Sequence, residues 1–250
     1  TGHYADNLIQ FLLNQEFKVG LINPISTDAE RKKKIRKTKT DKLDTVVICN
    51  VLQSREYTTI TKRKLVLSEM KKACRLHASL MENINQLKNQ LQACIDLVFP
   101  EFNSLFKTKY NRSYMTLLKS FPGASLIANA NLTKLKNILK PSGRGRSISL
   151  DATHLKDVAS KSIGTVNFLS SLEIQQLIER IELIQNHVAE VDKKIEEFAS
   201  ISNSPIYSIP GIGFLSGTSI LCEIGDISLF HSASKVVAFA GLDPSVYQSG

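Results

Sequence analysis

The chain lacks the clusters that mark most metal and hydrolase sites. Its four cysteines, Cys49, Cys74, Cys94 and Cys222, are scattered, with no CxxC pair and no histidine at metal-ligand spacing. That argues against a structural zinc and predicts reduced thiols in the core of a cytosolic protein. The five histidines are as dispersed, so no His-centred triad can be built, and pocket chemistry falls to carboxylates, hydroxyls and cations. No apolar run reaches the roughly 18 residues of a membrane-spanning helix, and no signal-peptide pattern opens the chain. Internal repeats and long low-complexity segments are also missing. Acidic residues are in short supply, 23 against 32 Lys and Arg, giving a formal charge of +9 and a pI near 9.3. That balance points to a polyanionic partner, nucleic acid ahead of an anionic membrane surface. With 42% hydrophobic residues in 250, the chain can bury a real core in one to three compact units.

Residues 1–60 mix helix and strand signals. Leu8, Phe11 and Leu12 at i, i+3, i+4 predict a helix through about Gln15, and KVGLIN (Lys18 to Asn23), ended by Pro24, has the pattern of a buried strand. A basic run from Arg31 to Lys39 places seven cations in nine residues. A helix then follows from Thr40 or Asp41 to about Gln53, with Thr40 as N-cap and Asp41 suiting the helix dipole.

From about Thr61 to Val98 the pattern is one long helix. Val66, Met70, Ala73, His77, Leu80, Ile84, Leu87, Leu91, Cys94 and Val98 step by 4 and 3 until Pro100 stops them. A second stripe runs from Ile174 through Ile184 to Phe198 and ends before Asn203 and Pro205. Such stripes are either the seam of a coiled-coil hairpin or dimer arm, or the buried faces of an ordinary bundle. Shorter helices lie between them, including NLTKLKNILK from Asn131, followed by the cationic loop PSGRGRS (Pro141 to Ser147). Three regions result: 1–60, a helical arm over 61–203, and 204–250.

Chemistry concentrates at two places. In KTDKLD (Lys39 to Asp44), Asp41 and Asp44 stand three apart at a helix start, on neighbouring parts of one face. Two such carboxylates can form part of a Mg²⁺ site, and the cations Arg31, Lys32, Lys33, Lys34, Arg36, Lys37 and Lys39 would draw a nucleic acid toward it. The plainer alternative has Asp41 capping the helix and Asp44 pairing with Lys42 or a neighbour. The second place is SIPGIGFLSGTS from Ser208, read as half of a helix-hairpin-helix. There Gly211 and Gly213 can take positive φ and admit a phosphate close to the backbone, before a helix over about Phe214 to Glu223. A tight turn between packed helices is the alternative. Ser249 is a candidate nucleophile, although chemistry alone does not set it above Ser228, Ser232 or Ser245.

TGHY at Thr1, VGLINP at Val19, KTDKLD at Lys39, IPGIG at Ile209, EIGDISLF at Glu223 and AGLDPSVYQSG at Ala240 occur in one order along the chain. Together they resemble the Piv/MooV-like insertion-sequence transposases, bridge-RNA-guided recombinases with a RuvC-like DEDD domain and a separate serine-bearing domain. The middle region matches in helical character and in FPEF (Phe99 to Phe102).

The resemblance implies a mainly α chain. It would contain a partial α/β, RuvC/RNase H-like N-terminal part (1–60), long coiled-coil helices (61–203) and a helix-hairpin-helix-like α domain (204–250). It implies that Asp41 and Asp44 are the last two of four acidic Mg²⁺ ligands and that Ser249 is the nucleophile forming a phosphoserine link to DNA. The implied partners are DNA, a guide RNA and further copies of the chain joined through the arm, with no membrane, in a bacterial or archaeal cytoplasm beside the nucleoid. The chain opens at Thr1 without methionine and stops at Gly250 after a motif, so a fragment is expected, with the other two acids ahead of Thr1 and a basic tail beyond Gly250. Two rivals stay open: a RuvC-like nuclease using metal-activated water, and a catalytically dead nucleic-acid-binding remnant.

Overall fold

The computed structural model describes residues 3–32, 40–54, 57–140 and 150–242. Among the described residues the fold is mainly α with one two-stranded sheet, as the resemblance implies. Residues 1–73 and 198–250 group into one compact unit and residues 74–197 into a second.

In the first unit, α1 (Asp6–Asn14) forms where the apolar spacing requires, yet the residue it buries is Leu13, while Leu8 and Phe11 remain exposed. Glu16, at φ 62°, turns the chain into β1 (Val19–Ile22). Asn23 then accepts the Ile25 N–H at 3.0 Å, and Pro24, which has no N–H to leave unpaired, opens α2 (Pro24–Lys32). Thr40 is extended and its hydroxyl accepts the Leu43 N–H at 3.3 Å, which starts α3 (Asp41–Gln53). Val47 and Val51, one turn apart on α3, are buried in this unit, where α2 packs against α3. β2 (Tyr57–Ile60) pairs antiparallel with β1 in the register Val19↔Ile60 through Ile22↔Tyr57.

The expected burial of the first strand is not observed. β1 is half-buried with Leu21 exposed, and its only sheet neighbour among the described residues is β2, so it is an edge strand rather than one enclosed in a larger sheet. The tail of this unit holds α10 (Phe214–Ile224) and α11 (Ala233–Phe239). Tyr207 lies against Gly217, where an added Cβ would meet its ring at 2.6 Å, and its hydroxyl is 2.9 Å from the buried Thr218 Oγ1. Ion pairs link the start of α4 (Lys62–Val98) to this unit, Lys71–Glu223 at 2.5 Å and Lys72–Asp6 at 2.7 Å.

The second unit combines the distal part of α4 and most of α9 (Phe168–Ser202) with the short helices between them. These are α5 (Arg112–Ser120), α6 (Ala124–Ala128), α7 (Leu132–Leu139) and α8 (Ala152–Lys161), preceded by a 3-10 turn over Pro100–Leu105. Pro100 ends α4 as expected. Ile84, Leu87, Leu91 and Val98 from one predicted stripe, and Ile174, Leu177 and Ile181 from the other, enter a single hydrophobic cluster, with Ile184 packed against it. Both helices bury more than a two-position seam: Ile95 and Ile178 are fully buried too. That wider apolar face is the signature of a helix set into a globular core, and here the short helices supply the covering layer. Phe99, Phe102, Phe106 and Tyr114 form its aromatic heart, with ring centroids 4.8–5.5 Å apart. Burial pushes the Tyr114 hydroxyl pKa well above that of a free tyrosine. Lys119 of α5 pairs with Glu182 of α9 at 2.8 Å, and His77 Nε2 lies 3.3 Å from Asp192 Oδ1.

The cysteines are all free, but they are not uniformly core residues. Cys74 and Cys222 are buried, Cys94 is half-buried with its thiol pKa raised by desolvation and then by Glu173, and Cys49 is exposed because it lies on the outer face of α3.

Candidate functional site

The first turn of α3 carries both candidate carboxylates. Thr40, not Asp41, supplies the cap, so the Asp41 side chain is released from that job and stands exposed. Among the described residues, Asp44 pairs neither with Lys42 nor with its immediate neighbours. Its Oδ1 accepts a hydrogen bond from Arg31 Nη2 of α2 at 3.0 Å, with both side chains about 30% exposed, at 32% and 28%. Arg31 also approaches Asp28 at 3.7 Å, and its Nε is buried without a hydrogen-bond partner. Lys32 lies 2.8 Å from Asp28. That hydrogen bond, followed by the lysine charge, pulls the Asp28 pKa down, and Asp28 raises that of Lys32 in return. The first two cations of the basic run are therefore held by carboxylates of their own unit. Lys33, Lys34, Arg36, Lys37 and Lys39 lie outside the described residues.

Mg²⁺ commonly takes one or two carboxylates and completes its shell with waters and phosphate oxygens. The hard oxygen donors of Asp41 and Asp44 fit that chemistry. Among the described residues no group of three or more His, Cys, Asp or Glu side chains gathers, so the fit extends to this pair alone. Arg31 is a cation already seated on one of the two carboxylates.

At the other candidate site the two glycines differ. Gly211 has φ 89°, in the region that favours glycine, and a Cβ there would meet nothing within 4 Å. Gly213 does not take the positive φ expected of it. It is the N-cap of α10 at φ −79°, ψ 175°, an extended conformation open to other residues. Having no side chain, it also leaves the first N–H groups of α10 without a cap. Ser249 and Ser245 lie outside the described residues. Ser228, a rival nucleophile by sequence, donates its hydroxyl to Asp226 Oδ1 at 2.7 Å, and this bond and the backbone N–H of Ser228 lower the Asp226 pKa.

Sequence reasoning missed the junction of Arg31 with Asp44, because the two were assigned separate tasks, cation for polyanion and ligand for metal. It also missed a cleft of about 360 Å³ in the first unit, where Tyr57, Thr59, Arg63 and Lys64 face Asp226 and Leu229. No spacing rule links residues so far apart in sequence.

Two segments of the chain match family models. Residues 1–100 match the DEDD transposase model of IS110, described as a transposase, and residues 203–250 match the model described as "Transposase IS116/IS110/IS902 family". The two matched segments lie at opposite ends of the chain, and both matches are to IS110-type transposase models. The first match contains Asp41, Asp44 and the basic run; the second contains Gly211, Gly213 and Ser249. Over 260 aligned residues the chain is 25% identical to a mini-circle protein of Streptomyces coelicolor named for IS117 transposition, covering 97% of this chain and 62% of that one. It is 35% identical over 75 residues to the transposase for insertion sequence element IS1111A of Coxiella burnetii, covering 30% of this chain and 20% of that one. The chain thus spans less than two thirds of the length of these relatives. Among the described residues no helix is long and apolar enough to cross a membrane.

Proposed function

We propose that this chain supplies the acid-bearing and serine-bearing parts of an insertion-sequence transposase that cuts and rejoins DNA. The observation that carries the reading is the ordered pair of transposase matches, one at each end of the chain, with the candidate acids in the first and the candidate serine in the second. Asp41 and Asp44 would hold Mg²⁺ as two members of a four-acid, RuvC-like set. When bound, the ion would withdraw charge from the scissile phosphate. Arg31 would hold Asp44 in place until the nucleic acid arrives, then turn its guanidinium to a phosphate oxygen. Ser249 Oγ forms a bond to phosphorus as the bond to the deoxyribose O3′ breaks. The serine proton ends on the leaving O3′, through a base supplied from outside the C-terminal segment. The product is a phosphoserine link and a free 3′-hydroxyl for strand exchange. Gly211 and the uncapped start of α10 would grip the backbone beside it in the manner of a helix-hairpin-helix. A guide RNA and a second copy of the chain complete the proposal: the +9 charge suits the first, and the long helices α4 and α9 offer an arm for the second.

The test is to trap the full-length protein on its DNA and map the adduct by mass spectrometry. A phosphoserine at Ser249 is expected. An adduct at Ser245, or cleavage that proceeds unimpaired in Ser249→Ala, overturns the assignment, the second outcome in favour of a water-activating nuclease.

A further inference from the structure

Between α5 and α7 lies an open cleft of about 290 Å³, lined by Arg112, Ser113, Thr116, Lys134, Asn137 and Lys140. One apolar side chain aside, every lining group carries positive charge or can donate a hydrogen bond, and none is acidic. Elsewhere in the second unit, Lys119 is held by Glu182 and Glu179, Lys161 by Asp157 and Lys194 by Glu197. Arg112 and Lys140 have no such partner among the described residues. Lys134 stands over the Phe121 ring, 5.0 Å from its centroid, a contact that leaves its N–H donors available.

The floor of the cleft supplies an independent observation. Ser113 is 5% exposed overall and lines the cleft, and its hydroxyl has no hydrogen bond to another described residue. The hydroxyl is therefore free to donate to a ligand there. It also lies in the first turn of α5. Asn111 accepts the Tyr114 N–H at 2.9 Å, which leaves the N–H groups of Arg112 and Ser113 ahead of it without an intrahelical acceptor. A serine hydroxyl, the first turn of a helix and three cations thus border one small cleft.

We propose that this cleft binds a phosphodiester of a polynucleotide backbone. A tetrahedral oxyanion uses every donor present: the Ser113 hydroxyl and the α5 N–H groups from below, Arg112, Lys134 and Lys140 from the rim. No aromatic ring lines the cleft, so bases have nothing to stack on and the contact is independent of sequence. The three cations are exposed at the rim, as a ligand that continues beyond the cleft requires. The proposal rests on the reading that this chain acts on nucleic acid, and adds a contact in the second unit, between the two transposase matches.

The test measures binding of a fluorescent duplex to the whole chain by anisotropy across a salt series. It compares wild type, Arg112→Ala/Lys134→Ala/Lys140→Ala, and a control of equal charge change, Lys107→Ala/Arg180→Ala/Lys193→Ala, at exposed positions outside the cleft. The cleft triple should bind about tenfold or more weakly near 0.1 M salt, with its log–log salt slope shallower by about 2 to 3, against less than about 1 for the control. Ser113→Ala should weaken binding about twofold to tenfold, the value of one hydrogen bond, with the slope unchanged. Equal losses in the two triples, or an unaltered slope in the cleft triple, overturn the cleft assignment while leaving the transposase reading intact. Absence of DNA binding by the wild-type chain at low salt defeats both. A parallel titration with inorganic phosphate, read at the Arg112 and Ser113 amide resonances, gives the remaining arm. If phosphate shifts these resonances and duplex DNA does not, the cleft is a small-anion site and the proposal fails.

Discussion

Arg31 Nη2 lies 3.0 Å from Asp44 Oδ1. The pair joins a residue of the basic run to a candidate metal ligand across the α2–α3 contact, and neither side chain is free in the sense the sequence suggests. The guanidinium fixes the direction of the carboxylate, because one of its oxygens is already committed to a hydrogen bond.

A double-mutant cycle measures that pair. Arg31→Ala, Asp44→Asn and the double variant should show a coupling of about 0.5–1 kcal/mol in denaturant unfolding, the range of a partly exposed ion pair. Strictly additive effects would mean the contact contributes nothing in solution.

In the full-length protein, Asp44→Asn should abolish Mg²⁺-dependent strand cleavage and leave nucleic-acid binding within about twofold, because one ligand is lost while the cationic surface is untouched. Gel-based cleavage and binding assays on the same preparation check both halves. Normal cleavage by this variant would remove Asp44 from the metal site.

The shared core of α4 and α9 predicts a sharp contrast within one helix. Leu87 is 4% exposed and Leu97 is 71% exposed. Leu87→Ala should cost about 2–5 kcal/mol, and Leu97→Ala no more than about 0.5 kcal/mol. Chemical denaturation of the two variants decides, and equal costs would contradict the packing.

Glu101 Oε2 accepts a hydrogen bond from Ser162 Oγ at 2.6 Å, which holds the Glu101 pKa below its ordinary 4.5. The folded-state value is the depressed one, so the stabilisation is complete above the ordinary pKa and is lost as pH falls through the folded one. Ser162→Ala should move the Glu101 titration up toward 4.5, as read by carboxyl NMR. An unchanged titration curve would show that the serine is not the cause.

Within α10, Gly217→Ala should be destabilising, because the new methyl would meet the Tyr207 ring at 2.6 Å and disturb its bond to Thr218. Overpacking of this kind costs about 1–3 kcal/mol. Gly213→Ala, at a φ any residue adopts and with open space around it, should be much milder. Thermal melts of the two variants, ranked the other way round, would refute the geometry described for this turn.

Local signals determined the element boundaries. The 3-4 spacing of apolar residues produced α4 and α9, Pro100 stopped the first, Thr40 capped α3, and Asn131 capped α7 through its side-chain oxygen. These are short-range effects, decided within a turn or two of the chain, so they are written in consecutive residues. The motifs at both ends likewise lie inside the two segments that match transposase models.

Partner choice was decided only by the tertiary structure. Nothing in the spacing of Arg31 and Asp44, thirteen residues apart, says that two helices will bring them within hydrogen-bond reach. Nor could the heptad-like stripes reveal that α5 to α8 would cover them and widen the buried face to Ile95 and Ile178. The same holds for the exposed flank of β1 and for the cleft of Arg112, Ser113 and Lys134. Periodicity records which face of an element is apolar, whereas the identity of what covers that face depends on contacts between segments distant in sequence, where burial is non-directional and leaves no local mark.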